Sequence, residues 1–404
     1  MINNISLPLG IKDYSLDTIK KLDYVKEIFF MEVETNGYEK VITPLFENID
    51  SISVGSKDDD TKKIMKMIDP LSGDVLGLRS DTTPQIARYV TSNFSKEDLP
   101  VRLSYSERII RNNLDSNKDP REIFQIGCES IGTEGVVNDL ELIQLGSQIL
   151  KKLGFPRQVV TLNSSLLVNY ILSKLEFSKD QIKTLFYKKD FDSISLLSKS
   201  KLVPKREKEF IKKIVMPFAL NKKIKLGSFP KTIQKEIEDI SFLKQELENI
   251  NPEIECVLDL LDVRDFNYYS NVTFDISVPE IKDHIMSGGR YNNLLSNYGL
   301  NVPAMGFALN VLPILQNIKF DTLTQPLAVI ELKNNQDLSL AYKIKDFFAN
   351  QAFQVRILES KYISNLNYQL LIKVDKLKKI KLLDEGNNLL ARFDTFEELS
   401  EEEI

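Results

Sequence analysis

Histidine occurs once, at His284, and cysteine twice, at Cys128 and Cys256, in a chain of 404 residues. One histidine excludes a His-rich metal centre and leaves little room for a Ser-His-Asp triad. His284 itself reads as a surface or strand-end residue rather than a catalyst. Two cysteines exclude a disulfide framework and a thiolate cluster, so no metal site is expected. No apolar run is long enough to cross a bilayer. The opening MINNISLPLG lacks the basic region and apolar run of a secretory signal. A cytoplasmic location away from membranes is therefore expected. A strong basic charge is missing too: the net charge of −5 gives no global pull toward nucleic acid, which argues against tRNA as a partner. Internal repeats and low-complexity blocks are not found.

What is present is an ordinary soluble composition, 42% hydrophobic and 27% charged, and a length that suits two or three domains. A loop, LPLGIKDYS, leads into a helix from about Leu16 to Asn36. Ile19, Leu22, Val25, Ile28 and Phe29 keep the three-and-four spacing of a buried face, and Gly37 ends it. YEKVITPLFE then reads as a strand ending near Pro44. MKMID and VLGLRS read as two strands joined by a turn at Pro70, Ser72 and Gly73. SDTTPQIARYV opens a helix for which Asp81 or Thr82 is a suitable N-cap, with Pro84 in the first turn. Helix N-termini attract anions, yet capping alone also explains such residues.

The stretch that organises the chain is VRLSYSERIIRNNLDSNKDPREIFQIGCESIG, residues 101–132, a strand, a polar loop and a second strand. Phe124, Ile126 and Cys128 share one face of the second strand, and Gln125, Gly127 and Glu129 the other. The polar face with a glycine between an amide and a carboxylate has two readings. It is either a solvated strand face or the floor of a small-ligand site that offers a hollow, hydrogen bonds and a negative charge to a cation.

A helix with Leu140, Leu142, Ile143, Leu145 and Ile149 on its core side follows, then a stop at Gly154–Pro156 and the strand VVTLNSS. Residues of about 177–251 are lysine-rich, helical in pattern and poor in glycine, and read as an inserted helical subdomain. Its charge run KREKEFIKK reads as solvated helix faces, with partner or nucleic-acid contact as the other reading. Strands return in ECVLDLLDVRDFNYYSNVTFDIS. Gly288 and Gly289, in HIMSGGRYNNLL, are read between a strand and a helix, as a turn or a ligand loop would each require. NVPAMGFALNVLPIL is an apolar strand running into an apolar helix. Beyond Leu323, LAVIEL, a helix around Leu340–Asn350, FQVRIL and YQLLIKV suggest a small α/β unit, closed by an acidic tail, FEELSEEEI, expected to fray.

Several motifs, taken in order, carry a resemblance: LPLGIKD, GYEKVITPLFE, LRSDTTPQIAR, Arg111 with REIFQIGCE, RDFNYYSNVTFDI, SGGRYNNL and PAMGFAL. The chain resembles the class II histidyl-tRNA synthetases, and most of all their paralogues, the regulatory subunits of ATP phosphoribosyltransferase. The resemblance implies an α+β fold. Residues 1–322 would form a class II aminoacyl-tRNA synthetase-like core, an antiparallel sheet flanked by helices with the insertion at about 177–251, and residues 323–404 a small C-terminal α/β domain. It implies a pocket for free histidine. Asp81 and Thr83 fall where the family holds the amino group, and Gln125 and Glu129 are expected around it. Arg111 is expected near the ligand carboxylate or a phosphate. Arg264 and Tyr269 match the histidine-specific motif, with Tyr268 beside the imidazole.

Departures from the synthetase pattern set the expected function. Pro313 stands where the motif 3 arginine grips ATP phosphates, and proline carries neither charge nor donor. Asn113 replaces the acidic residue that helps to seat adenine, and Asp81 shortens a glutamate. These changes suit a non-catalytic, histidine-sensing regulatory subunit with no catalytic residues or cofactor of its own. It would form a homodimer within a hetero-oligomer with the short catalytic subunit, in the first step of histidine biosynthesis. The alternatives are a divergent histidine–tRNA ligase, or a member that keeps the fold with another ligand.

Overall fold

The computed structural model describes residues 6–54, 61, 64–112, 120–219, 226–263, 268–282, 285–320, 325–332, 338–364, 366–375 and 377–402. They fall into two compact units, Met1–Phe320 and Asp321–Ile404.

Helix α1 (Leu16–Thr35) starts at Ser15, whose hydroxyl accepts the Thr18 N–H at 3.2 Å, a standard N-cap. Leu22, Val25, Phe29 and Val33 are buried along one stripe, with Ile19 and Ile28 packed at its margin. The chain then departs from the single strand expected over YEKVITPLFE. Two short strands form instead, β1 (Glu39–Lys40) and β2 (Phe46–Asn48). Between them the Val41 N–H still bonds to the Ser104 carbonyl at 2.9 Å, but at Thr43 and Pro44 the backbone bonds to side chains. The Arg79 guanidinium donates to the Thr43 carbonyl at 3.0 Å, the Gln85 amide to the Pro44 carbonyl at 2.8 Å, and the Thr43 N–H to Glu107 at 3.2 Å. Pro44, having no N–H, could not have continued a ladder. A short helix α2 (Ile49–Ile52) follows, then β3 (Lys66–Ile68) and β4 (Val75–Leu78), which with β2 make a small sheet in the order β2-β4-β3. Next come α3 (Thr83–Asn93), β5 (Val101–Ile110), β6 (Glu122–Ile131) and α4 (Val136–Lys152).

The main sheet is completed by β7 (Gln158–Ser164), β8 (Ile254–Leu258), β9 (Val272–Ser277), β10 (Met286–Arg290) and β11 (Ala304–Asn310). Its order is β1-β5-β6-β11-β10-β9-β7-β8. Neighbours from β5 to β7 are antiparallel, while β1 and β8 join the edges in parallel. The antiparallel sheet expected from the resemblance is therefore present. One face packs its apolar residues, among them Phe124, Ile126, Cys128, Phe274 and Ile276, into the main core with α1 and α4. Gly288 and Gly289 do not lie in a turn. They sit inside β10, between β9 and β11, where a Cβ on Gly288 would come 2.5 Å from the Gly306 carbonyl and 2.6 Å from the Phe274 ring. Close strand-to-ring packing, not chain reversal, is what calls for glycine there.

Between β7 and β8 the insertion runs through α5 (Ser165–Ser173), α6 (Lys179–Tyr187), α7 (Phe191–Leu197), α8 (Lys205–Phe210), a π turn at Ile211–Val215, α9 (Met216–Ala219) and α10 (Lys231–Ile250). It has its own core, built from Leu167, Val168, Ile171, Ile182, Phe186, Ile194, Ile211, Val215, Ile233 and Ile237. The same α10 continues into the main core through Ile240, Leu243 and Leu247. The KREKEFIKK run is not wholly a solvated face. Glu207 points inward and accepts the N–H groups of Glu176, Phe177 and Ser178 at 2.9, 2.9 and 3.1 Å, tying down the start of α6.

After β10 come α11 (Asn292–Asn297), β11 and α12 (Val311–Asn317). The second unit holds β12 (Leu327–Leu332), α13 (Leu338–Asn350), β13 (Gln354–Glu359), β14 (Leu370–Val374), β15 (Ile380–Leu383), β16 (Leu389–Phe393) and α14 (Phe396–Ser400). Its sheet runs β13-β12-β14-β15-β16, parallel through the first three strands. The acidic tail does not fray over Phe396–Ser400. Thr395 caps α14 by accepting the Glu398 N–H at 3.2 Å, and Leu399 is fully buried against the unit's core.

Candidate functional site

The polar face of β6 lies between β5 and β11, which fixes what surrounds it. Gly127 stands opposite Tyr105 on β5 and Ala308 on β11, while Glu129 stands opposite Leu103 and Gly306. The solvated-face reading is overturned: Gln125 is 6% exposed and Glu129 1%. The hollow expected at Gly127 is not open. The Tyr105 ring fills it, a Cβ there meeting the Tyr105 hydroxyl at 2.4 Å and the Phe307 carbonyl at 2.5 Å. The Glu129 carboxyl fills the space over Gly306, where only glycine fits. A Cβ at 306 would lie 1.6 Å from Glu129 Oε2 and 2.6 Å from the Cys128 carbonyl.

The first turn of α3 descends onto this face. Pro84 sits in that turn and Thr82 precedes the helix as its cap residue, but the Thr82 hydroxyl does not cap. It donates to Gln125 Oε1 at 2.7 Å, while Gln125 Nε2 donates to Asp81 Oδ1 at 3.0 Å. Asp81 Oδ1 also accepts the Thr82 N–H at 3.0 Å, and Oδ2 the Tyr268 hydroxyl at 2.6 Å. The helix start is thus built into a network rather than merely capped.

Glu129 is the floor of that network. Its oxygens accept the hydroxyls of Thr83 at 2.9 Å, Tyr291 at 2.6 Å and, more weakly, Tyr105 at 3.4 Å. Burial pushes its carboxyl up to about 8, against the opposing effect of the Tyr291 and Thr83 hydrogen bonds, with Asp81 nearby raising it further. Burial likewise pushes the Tyr268 and Tyr291 hydroxyls well above their ordinary value, which keeps them as donors. Tyr268 stacks beside Tyr269, ring centroids 4.7 Å apart, and meets the edge of Tyr291 at 6.1 Å.

A cavity of about 460 Å³ opens over these residues, a size typical of small-molecule sites. It brings together seven of the expected residues: Asp81, Thr83, Arg111, Gln125, Glu129, Tyr268 and Tyr269. Arg111 donates to the Ser80 carbonyl at 3.3 Å. The eighth, Arg264, lies outside the described residues, as do Asn113 and His284. Sequence reasoning passed over Tyr291, Asp275, Ser287 and Asn310, which also line the cavity; Ser287 donates to Asp275 at 2.6 Å. Tyr291 follows SGGR directly, so it was within a motif already noticed. The glycine opposite Tyr105 was the available signal for that residue, since a Cβ at 127 would meet its hydroxyl at 2.4 Å.

Pro313 lies in the first turn of α12, whose sequence VLPILQN carries no basic residue. Among the described residues no group of three or more His, Cys, Asp or Glu is placed to hold a metal ion, and no helix is long and apolar enough to cross a membrane. The arrangement can recognise a small molecule bearing N–H donors or a cation, held by Asp81 with the Glu129 carboxyl, neutral below about 8, as a further hydrogen-bonding group, with aromatic faces alongside and a guanidinium for an anionic group.

Residues 10–314 match the family model described as histidyl-tRNA synthetase. The chain is similar to an ATP phosphoribosyltransferase regulatory subunit of Geobacter sulfurreducens, 30% identical over 322 residues, covering 78% of this chain and 73% of that one. It is also 29% identical over 349 residues to a histidine–tRNA ligase of Sulfolobus acidocaldarius, covering 83% and 81%. A solved structure titled as an ATP phosphoribosyltransferase regulatory subunit/histidyl-tRNA synthetase from Bacillus halodurans superposes with a TM-score of 0.75, covering 91% of this chain and 98% of that one at 22% identity. At that identity the likeness speaks for the fold alone, a class II synthetase-like core.

Proposed function

The chain belongs to the histidyl-tRNA synthetase family, on the side of the ATP phosphoribosyltransferase regulatory subunits, and from that premise we propose a non-catalytic, histidine-sensing regulator. It binds free histidine in the β6–α3 cavity and serves a short catalytic ATP phosphoribosyltransferase subunit in the cytoplasm, in the first step of histidine biosynthesis.

The observation that carries this reading is the split state of the cavity. Seven of the eight residues expected to hold histidine line one cavity: the buried carboxyl groups of Asp81 and Glu129, Thr83, the Gln125 amide, Tyr268, Tyr269 and Arg111. The helix that would supply a cation to the transferring phosphates offers Pro313 instead. Recognition is kept and one clamp of adenylate chemistry is gone. Homodimer formation is supported by Ile42, Leu45, Phe46, Ile68, Leu71 and Val75, large apolar residues exposed on and around the β2-β4-β3 sheet, a kind of patch that marks an association surface. Light scattering on the purified chain tests it, and a monomer would remove it.

The test of function is histidine-dependent exchange between pyrophosphate and ATP, with an active synthetase as control. No exchange, together with histidine binding by calorimetry and activation of an added short catalytic subunit, is the expected result. Robust exchange would replace the regulator by a divergent histidine–tRNA ligase, the reading favoured by the likeness to the Sulfolobus enzyme.

A further inference from the structure

The helical insertion supplies part of the cavity wall. Helices α6 and α7 form a hairpin whose tip carries Tyr187 and Lys189 into the cavity. Lys189 has φ +55°, the left-handed region that residues with a Cβ enter only at a cost. The turn around it is held by the Lys189 N–H to the Phe186 carbonyl at 3.0 Å and the Asp190 N–H to the Leu185 carbonyl at 2.9 Å. Asp190 then caps α7 by accepting the Ser193 N–H at 3.0 Å, and Phe186 and Ile194 anchor both helices in the insertion's core.

This strained tip delivers an ammonium to a pair of carboxylates. Lys189 Nζ stands 2.6 Å from Asp259 Oδ2 and 2.5 Å from Asp262 Oδ1. Both aspartates belong to the segment leaving β8. In that segment Leu260 packs against the main core and the insertion core alike, Leu261 is buried in the insertion core, and Asp262 and Val263 line the cavity. The contact therefore ties the tip of the insertion to the stretch of core chain that walls the site. The cavity lining carries four carboxylates, Asp81, Glu129, Asp262 and Asp275, and among the described lining residues two cations, Arg111 and Lys189. Without Lys189, Asp259 and Asp262 would lose the ammonium they share, and a ligand carboxylate would face a wall more negative by one charge.

We propose that Lys189 is a positioning residue for the ligand: its clasp on Asp259 and Asp262 closes the α6–α7 hairpin over the cavity, so that occupancy of the cavity and placement of the insertion are coupled. The inference rests on the reading of the cavity as a histidine site. Coupling of this kind is reciprocal, so a bound ligand must also hold the hairpin down.

The experiment uses the full chain, its Lys189→Met variant and its Lys189→Arg variant. Affinity for L-histidine is measured by calorimetry, and hydrogen–deuterium exchange over residues 179–197 with and without histidine. In the wild type histidine should slow exchange across the hairpin. Lys189→Met should bind histidine about five- to a hundredfold more weakly, the usual span of such couplings, with a hairpin that already exchanges faster without ligand. Lys189→Arg should restore both, since it returns the cation. Wild-type affinity and exchange in Lys189→Met would overturn the proposal. If calorimetry finds no histidine binding by the wild type, the histidine reading falls and the ligand coupling with it. The clasp is then judged by the ligand-free hairpin of Lys189→Met, faster exchange supporting it and unchanged exchange overturning it.

Discussion

Glu129→Gln should remove part of this protein's dependence on pH. Burial holds the Glu129 carboxyl at about 8 in the folded chain, against an ordinary value of 4.5. The native state thus binds this proton more tightly than the unfolded state does. A raised carboxyl contributes stability that is fully present below about 4.5 and is lost as pH rises through about 8. The full separation is about 3.5 units, or roughly 5 kcal/mol at 1.36 kcal/mol per unit. Between pH 5 and pH 7, where the unfolded carboxyl is ionised and the folded one is not, the loss is about 2–3 kcal/mol. Glutamine keeps the shape and does not titrate. Its single carbonyl oxygen accepts one of the two hydroxyls, Tyr291 or Thr83, which Glu129 takes on separate oxygens. That lost bond is the same at every pH and drops out of the pH dependence. The assay is urea unfolding of both proteins at pH 5, 6, 7 and 8, followed by circular dichroism of the 14 tyrosines. Taking the difference between variants cancels the other titrating groups, such as Asp139, which burial pushes up to about 6. The variant should gain on the wild type by about 2–3 kcal/mol from pH 5 to pH 7. A difference that does not move with pH would refute the picture of a neutral, buried Glu129.

The same network supports further expectations. Tyr291→Phe removes a 2.6 Å donor to Glu129 and should cost about 1–3 kcal/mol. The loss should grow above pH 8, where the carboxylate it serves is ionised, and a flat pH profile would count against the bond. Gly306→Ala forces a Cβ against Glu129 and the Cys128 carbonyl. A drop of about 1–3 kcal/mol in unfolding free energy is expected, and wild-type stability would show that β6 and β11 can move apart. Glu129→Ala should weaken histidine binding by about 1–3 kcal/mol, and unchanged calorimetric affinity would take Glu129 out of the site. Arg79→Met strands Glu107, its partner at 2.6 Å in a pair almost wholly buried. The expected cost is about 3–5 kcal/mol, read as a lowered urea midpoint.

How much of this was legible in the sequence depended on whether the signal was local. The alternation of Phe124, Ile126 and Cys128 against Gln125, Gly127 and Glu129 placed each residue on the face it occupies. It could not say what covers the polar face, because the cover comes from α3, β9–β10 and the insertion. The strand expected over YEKVITPLFE failed for the same reason. Its middle is held by Arg79, Gln85 and Glu107, side chains 36 to 64 residues away in sequence. Gly288 and Gly289 looked like a turn because a glycine pair is most often one. Their actual need, a ring from β9 and a carbonyl from β11 against the backbone, is a tertiary fact. The tail was misjudged because acidity outweighed Leu399, whose burial anchors it.

On the proposed reading, loss of catalysis without loss of recognition follows from where the two sets of groups are carried. Asp81, Thr83, Gln125 and Glu129 sit on the start of α3 and on β6, bonded to one another and to Tyr268 and Tyr291. Any one of them changed alone strands a buried polar partner, at a cost of about 1–3 kcal/mol, so the set resists piecemeal erosion. Position 313 lies on another element, α12, and Pro313 fits there because the first turn of a helix leaves its N–H groups without intrahelical partners. The change at 313 therefore removes a phosphate contact while costing the fold little. The reverse substitution, Pro313→Arg at a half-buried position that does not line the cavity, should leave histidine affinity within a factor of about two, since changes away from such networks stay within about 0.5 kcal/mol. A large change in histidine affinity on Pro313→Arg would mean that the two sets are not separable, and that the cavity works as a single unit.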